Sequence, residues 1–572
     1  MSMSPFSLLV LLHAALTAAA PARRATNGYA PITTTCPSTQ LVRQADGISS
    51  AEASYIAQRY QKASQALDSW LKSVDESFET GQGHWGDWHG QHSKRQWTEW
   101  WQQQGRAPVI ALTSSGGGYR AQLTGGGVIK GFDSREAPET GVSGLYQALT
   151  YQAGLSGGSW LLSSIAGNDY PTISSIQTNL WETALQNSLL VPQILVSQQA
   201  RPIYNTVQAD VQAKAAAGFE PSIVDPWGRL LSYGLLYGAD GGVQDTMSSI
   251  ASGSNFTSYN APYPIITALG SDLSINGVCI PQPNATQYEF HPYEFGSWDT
   301  GVDAFVLSEY LGTSFSAGKP TSNCITHYDQ LGYVLGTSSN VFASACSAVP
   351  ANMTAEATSL SLVENLAYLT APGAPGIPEE ALFGLFPNPF QNFPSSPHVS
   401  TQKTLELVDG GVGVAYQGNP IWPFLHRNID VIIVNDNSAD TVGNFPNGTE
   451  ILHTYEAAVA AGLTTMPVIP SAETFVSKGL HQKPTFFGCN SDETATIIYI
   501  PNYNYTYPSG QPTSKIQYYK NETDGMVANG VQIANYGGKA DWPLCLACGI
   551  MKKSGNTLPS GCSGCFEEYC YN

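Results

Sequence analysis

The stretch Leu145–Gly167, LYQALTYQAGLSGGSWLLSSIAG, decides how the chain is read. An apolar segment ends at Ala153, three glycines crowd around two serines, and a second apolar segment follows. That order predicts a short buried strand, a tight turn and a helix from about Gly158. Gly154-Leu155-Ser156-Gly157-Gly158 satisfies G-x-S-x-G. In that motif the serine sits on a strained strand-to-helix turn, and the residues two places away on either side must lack side chains or they collide. The helix that follows aims its N–H groups and positive dipole end at a developing oxyanion. Ser156 is the candidate nucleophile, with Gly154, Gly157 and Gly158 forming its elbow; Ser159 falls inside the first helical turn. The competing reading is a flexible Gly/Ser surface loop.

The same plan occurs upstream. Pro108–Phe132, PVIALTSSGGGYRAQLTGGGVIKGF, reads as a strand at Val109–Leu112, a glycine-rich turn and a helix beginning near Tyr119 or Arg120. A further strand is expected at Val431–Val434 within NIDVIIVNDNSAD. Strands that feed helices through glycine-rich turns predict an α/β layered fold with a central, mainly parallel sheet flanked by helices. Residues 50–104 carry helical spacing of Tyr55, Ile56, Tyr60, Leu67, Trp70 and Leu71. The next segment, HWGDWHGQH, holds His84, His89 and His92, but its glycines break any regular ligand face, so a packed loop is expected there and no metal site. The middle third, 190–400, is rich in Pro, Gly, Asn and Tyr and is expected to form long connections over the sheet. No repeat or linker divides the chain, which predicts one catalytic domain over residues 36–572.

Composition narrows the function. The 572 residues are 42% hydrophobic and only 12% charged, against roughly 25% charged in ordinary soluble domains. A net charge of −19 argues against nucleic-acid partners and against adsorption to anionic membranes. Phe6–Leu16, FSLLVLLHAAL, is too short to span a bilayer and is followed by small residues, the pattern of a signal peptide over residues 1–19, cleaved near Ala19. Residues 20–35 form a short N-terminal segment in which Arg23-Arg24 is either a dibasic processing site or an exposed pair. The last residues, FEEYCYN, carry no apolar tail of the kind a GPI anchor needs. Sequons at Asn255, Asn284, Asn352, Asn447, Asn504 and Asn521 agree with secretion. So does an even set of ten cysteines: Cys36, Cys279, Cys324, Cys346, Cys489, Cys545, Cys548, Cys562, Cys565 and Cys570. Two C-x-x-C pairs near the end would suggest a zinc ribbon in a cytosolic protein; in an oxidising compartment they read as disulfides, with Cys36 or Cys489 as outside partners stapling the tail to the body. Their connectivity stays open at this point.

A lone serine needs partners. Ser114-Ser115-Gly116-Gly117-Gly118 places bare backbone N–H groups at a strand end, where they can form an oxyanion hole; a phosphate cradle is the rival use, but the Walker pattern is absent. Arg120 is placed to hold an anionic substrate group such as a phosphate, or else makes a salt bridge. No histidine carries a catalytic signature. Leu407-Val408-Asp409-Gly410-Gly411 instead sets a carboxylate at a strand end, apolar on one side and bare on the other. Desolvation there raises its pKa and makes it a better base, so a Ser–Asp dyad becomes available without histidine. The alternative is an ordinary Asp-Gly-Gly turn.

SGGGYRA, GLSGGSW and VDGG, in this order and widely spaced, resemble the secreted fungal lysophospholipase/phospholipase B family, whose catalytic module is shared with the cytosolic phospholipase A group. YEFHPYEFGSWD, EYLGTSFSAGKP, GYVLGTSSNVF, VIIVNDNSADTVGNFPNGT, KPTFFGC and the cysteine-rich end are similar as well, so the resemblance covers residues 36–572. It implies a Ser156–Asp409 dyad on an α/β core, oxyanion donation from Gly117 and Gly118, and Arg120 on the headgroup phosphate. The implied substrate is a lysophospholipid or phospholipid at a micelle or membrane surface. No cofactor and no metal are implied. Rival readings are another secreted serine hydrolase that uses a histidine, and a glycosylated surface protein with a dead hydrolase fold.

Overall fold

The computed structural model describes residues 28–79, 106–191, 200–345, 357–372, 377–413 and 417–571. The histidine-rich segment, Asn352, Cys346 and the N-terminal leader lie outside these residues.

Four strands rich in β-branched and apolar residues form the centre: Thr496–Pro501, Val431–Asp436, Ile110–Ser114 and Tyr151–Gly154, followed by the long strand Tyr263–Ser271. All four pairings among these five are parallel. Parallel strands are buried on both faces, so they read as continuous apolar runs, and here nearly every residue of the five is buried. Helices supply the cover. Gly118–Phe132 lies against Lys520–Ala534, and the two backbones touch: a Cβ on Gly127 would stand 2.1 Å from the Val527 carbonyl oxygen, and one on Gly530 2.2 Å from that of Thr124. The run Gly125–Gly127 therefore sets how closely these helices approach.

The α/β layered architecture is as expected, but the sheet as a whole is mixed. Beyond Tyr263–Ser271 it continues antiparallel through Gln287–Phe290, Glu294–Ser297, Ala304–Leu307 and Val42–Gln44. Thr485–Phe487 closes the other edge, also antiparallel. The middle third thus builds a large part of the sheet and is not merely connections over it. Past the nine-residue Tyr263–Ser271, its strands Gln287–Phe290, Glu294–Ser297 and Ala304–Leu307 are four residues long, too short to show a period-two pattern. The first helix spans Ser50–Val74 only; Ser49 Oγ caps it by accepting from the Glu52 N–H at 3.1 Å.

The disulfides staple the periphery. Cys36–Cys324 links two short paired strands, Ile32–Thr34 and Cys324–Thr326. Cys545–Cys565 and Cys548–Cys562 join the helices Trp542–Met551 and Cys562–Tyr569, so the two C-x-x-C pairs bond to each other and not to outside cysteines. Cys489–Cys570 fastens the tail to the sheet edge, as expected of Cys489, and Cys279 is also disulfide-bonded.

Candidate active site

The long strand Tyr263–Ser271 brings the site together. One of its edges pairs with Gln287–Phe290. The opposite edge carries two strands in succession. Tyr151–Gly154 runs parallel to it and ends with Gly154 opposite Ile266; Thr404–Val408 runs antiparallel and ends with Val408 opposite Leu269. The two strands therefore point at each other along one edge, with Thr267 and Ala268 in the gap. Ser156 follows the first strand end and Asp409 the second. The Ser156 hydroxyl donates to the Asp409 carboxylate.

Ser156 has φ 52° and ψ −122°, a sparsely populated conformation that costs about 1–3 kcal/mol and persists only when its surroundings enforce it. The glycines supply the clearance. A Cβ on Gly154 would meet the Gly158 carbonyl oxygen at 2.4 Å, one on Gly157 that of Gly118 at 2.1 Å, and one on Gly158 that of Ser114 at 2.0 Å. The nucleophile turn and the Gly116–Gly118 turn are thus interlocked backbone to backbone. Ser159 supports this turn, donating its hydroxyl to the Ser156 carbonyl at 2.6 Å.

In the second turn, the Ser115 N–H donates to Asn435 O at 3.2 Å and the Gly116 N–H to Gly418 O at 2.9 Å. The Gly117 and Gly118 N–H groups have no acceptor among the described residues; Gly118 opens a helix, where the first N–H groups are free by construction. Arg120 is buried and donates through Nε to Asn437 O at 2.9 Å and through Nη1 to Gln511 O at 2.5 Å. Its Nη2, also buried, has no partner among the described residues and lies against Gly117, where a Cβ would stand 2.5 Å away. Burial lowers the Arg120 pKa to about 10, a shift that Tyr518, Asp436 and Asp440 oppose. Among the described residues Arg120 makes no salt bridge, and its Nη2 stays without an acceptor.

Asp409 is 2% exposed. Burial raises its pKa from 3.8 to about 6, against the Ser156 hydroxyl and the Gly411 N–H, which favour the anion. The Gly411 N–H donates to Oδ1 at 2.8 Å. Among the described residues no cation pairs with it, so nothing offsets the rise that burial gives beyond these two hydrogen bonds.

Spacing gave no sign of several supporting residues. Ser338, at the end of the helix Leu331–Ser338, fills the gap between the strand ends: its hydroxyl donates to Thr267 O at 2.7 Å, while its Oγ and carbonyl both accept from the Ser156 N–H at 3.1 Å. Asn340 O accepts from the Asp409 N–H at 3.2 Å. Asn437 holds Arg120 through its carbonyl and donates its N–H to Ser115 Oγ at 2.6 Å. All three lie in stretches that carried the resemblance, GYVLGTSSNVF and the NDNSAD loop, but no residue rule singles them out. Beside Tyr119, one residue past Gly118, opens a cavity of about 830 Å³ lined by Leu180, Leu189, Leu190, Ile203 and Leu230.

Of the sequon asparagines, Asn284, Asn504 and Asn521 are exposed. Asn255 and Asn447 are half-buried, and Asn255 Nδ2 donates to Asp169 O at 2.8 Å.

Sequence relatives and a family model place this chain among the lysophospholipase hydrolases. Residues 110–572 match the model of the lysophospholipase catalytic domain. Lysophospholipase 2 of Aspergillus fumigatus is 36% identical over 97% of this chain and 96% of its own length; lysophospholipase 1 of Candida albicans is 36% identical over 96% and 89%. The solved human GIVD cytosolic phospholipase A2 superposes with a TM-score of 0.63 at 16% identity, over 91% of this chain and 69% of that one. The chain belongs to the lysophospholipase family.

Proposed function

We propose that the chain is a secreted lysophospholipase/phospholipase B that cleaves fatty-acyl esters through a serine acyl-enzyme with Asp409 as its base. The observation that carries this reading is the head-on meeting of the two strand ends, which sets the Ser156 hydroxyl on a buried carboxylate. As Ser156 Oγ attacks the ester carbonyl, its proton passes to Asp409. The carbonyl oxygen becomes an oxyanion against the free Gly117 and Gly118 N–H groups; losing one such donor typically costs about 10²–10³ in rate. Collapse of the intermediate expels the glycerol oxygen, which takes the proton from Asp409. Asp409 then draws a proton from water, whose hydroxide attacks the acyl-enzyme, and returns it to Ser156 Oγ. The free Nη2 of Arg120 suits one phosphate oxygen of the headgroup, and the cavity beside Tyr119 suits an acyl chain.

Secretion rests on the N-terminal signal, the disulfides and the exposed sequons at Asn284, Asn504 and Asn521. Residues 36–572 act as one catalytic unit in this reading. Among the described residues no helix is long and apolar enough to cross a membrane.

The test is fatty-acid release from lysophosphatidylcholine micelles in EDTA. Ser156→Ala and Asp409→Asn should each lose nearly all activity while staying folded. An active Asp409→Asn would send the search for a base elsewhere, and an inactive parent would remove the phospholipase reading.

A further inference from the structure

The segment from Ser509 to Tyr518 passes over the oxyanion turn as a strap pinned at both ends. At one end Ser509 Oγ donates to Asn502 Oδ1 at 2.7 Å. At the other the Tyr518 N–H donates to Leu185 O at 3.2 Å, and its ring stands edge-on to Tyr119 at 6.1 Å. Between them Lys515 Nζ donates to Gln511 Oε1 at 3.2 Å and to Glu522 Oε1 at 2.5 Å.

Thr513, on this strap, touches both halves of the anion site. Its Oγ1 accepts from Arg120 Nη1 at 3.1 Å. A Cβ on Gly118 would stand 2.9 Å from its carbonyl oxygen. Yet Thr513 is exposed, whereas Arg120 is buried. A hydroxyl between solvent and a buried guanidinium lies where a headgroup has to pass. Because that hydroxyl accepts from Arg120, its own O–H remains free to donate outward. A phosphodiester brings acceptors only. Among the described residues the Thr513 O–H stands at the rim, and Arg120 Nη2, also without an acceptor, lies buried behind it against Gly117.

We propose that Thr513 contacts the substrate phosphate and sets the preference for phosphate-bearing esters over neutral ones. The strap's own acceptors, Gln511 O and Thr513 Oγ1, stand on Arg120 Nη1, beside the path of the headgroup. The inference rests on the reading of Arg120 as the phosphate residue.

The test compares kcat/KM for lysophosphatidylcholine with that for the p-nitrophenyl ester of the same fatty acid. A hydrogen bond to a charged group contributes about 1.5–3 kcal/mol, so Thr513→Val should lower the ratio of the two by about tenfold or more, mainly through KM. Thr513→Ser should restore it, and Arg120→Lys should lower it as well. Equal losses on both substrates in Thr513→Val, or an unchanged ratio there beside a lowered one in Arg120→Lys, would overturn the role of Thr513 alone. An unchanged ratio in both variants would overturn the Arg120 reading and this inference with it.

Discussion

Two sets of buried carboxylates sit at opposite ends of this molecule's chemistry. Glu52 and Glu289 share Arg427, whose Nε donates to Glu52 at 2.6 Å and whose Nη2 donates to Glu289 at 2.7 Å. This trio ties the helix Ser50–Val74 to the strand Gln287–Phe290 and to the segment after Pro423. Burial pushes the Glu52 pKa up, but the Arg427 guanidinium outweighs it and holds the group below its ordinary value. Asp409 is as deeply buried but, among the described residues, has a hydroxyl and an N–H for partners and no cation, and its pKa rises to about 6. In the first set the cation lowers Glu52 and opposes the rise that burial gives Glu289. Asp409 rises with no such opposition, as the proposed role of base requires.

Substitution should split the two in opposite directions. Removing one member of a buried ion set typically costs about 3–5 kcal/mol, so Arg427→Met should lower stability by that much in denaturant titration. Asp409→Asn should raise it. The folded pKa of Asp409 exceeds its unfolded value, so below 3.8 both states are protonated and nothing is lost. As pH rises from there through about 6, the unfolded chain ionises first, and stability falls by about 3 kcal/mol in all. Asparagine escapes that penalty: its stability gain should be full at pH 8 and vanish near pH 3. A loss at pH 8 equal to that of Arg427→Met would make Asp409 a structural group.

A smaller effect sharpens the same contrast within the site. Ser338→Ala removes the hydroxyl bridging Thr267 and the Ser156 N–H while leaving the Asp409 side unaltered. Small misplacements of reacting groups are costly, so kcat should fall by about tenfold with KM nearly unchanged. A fall confined to KM would place Ser338 in substrate binding.

The sequence made one side of this site readable and hid the other. Ser156 and its glycines act within five residues, so the steric demand of the turn is written locally, and the strand at Tyr151–Gly154 and the helix at Gly157–Ala166 appear where expected. Asp409 was visible only as a carboxylate before two glycines. Its meeting with Ser156 depends on which edge of Tyr263–Ser271 the strand Thr404–Val408 joins, and pairing between distant strands leaves no local pattern. Ser338, Asn340 and Asn437 were hidden for the same reason: they act through backbone atoms or short polar side chains brought from far along the chain. The strands Gln287–Phe290, Glu294–Ser297 and Ala304–Leu307 escaped because four residues cannot display a period.

The central claim is that Asp409 accepts the proton of Ser156. The most direct measurement is the pH dependence of kcat/KM on lysophosphatidylcholine, whose phosphodiester does not titrate in the range used. Asp440, also pushed up by burial, lies near Arg120 and bonds to the Asn447 N–H, so Asp440→Asn serves as the control. The account predicts a single ionisation at about 6, with the rate rising tenfold per pH unit below it, retained in Asp440→Asn and absent from the residual activity of Asp409→Asn. A flat profile across that range, or an inflection that survives in Asp409→Asn, would contradict it.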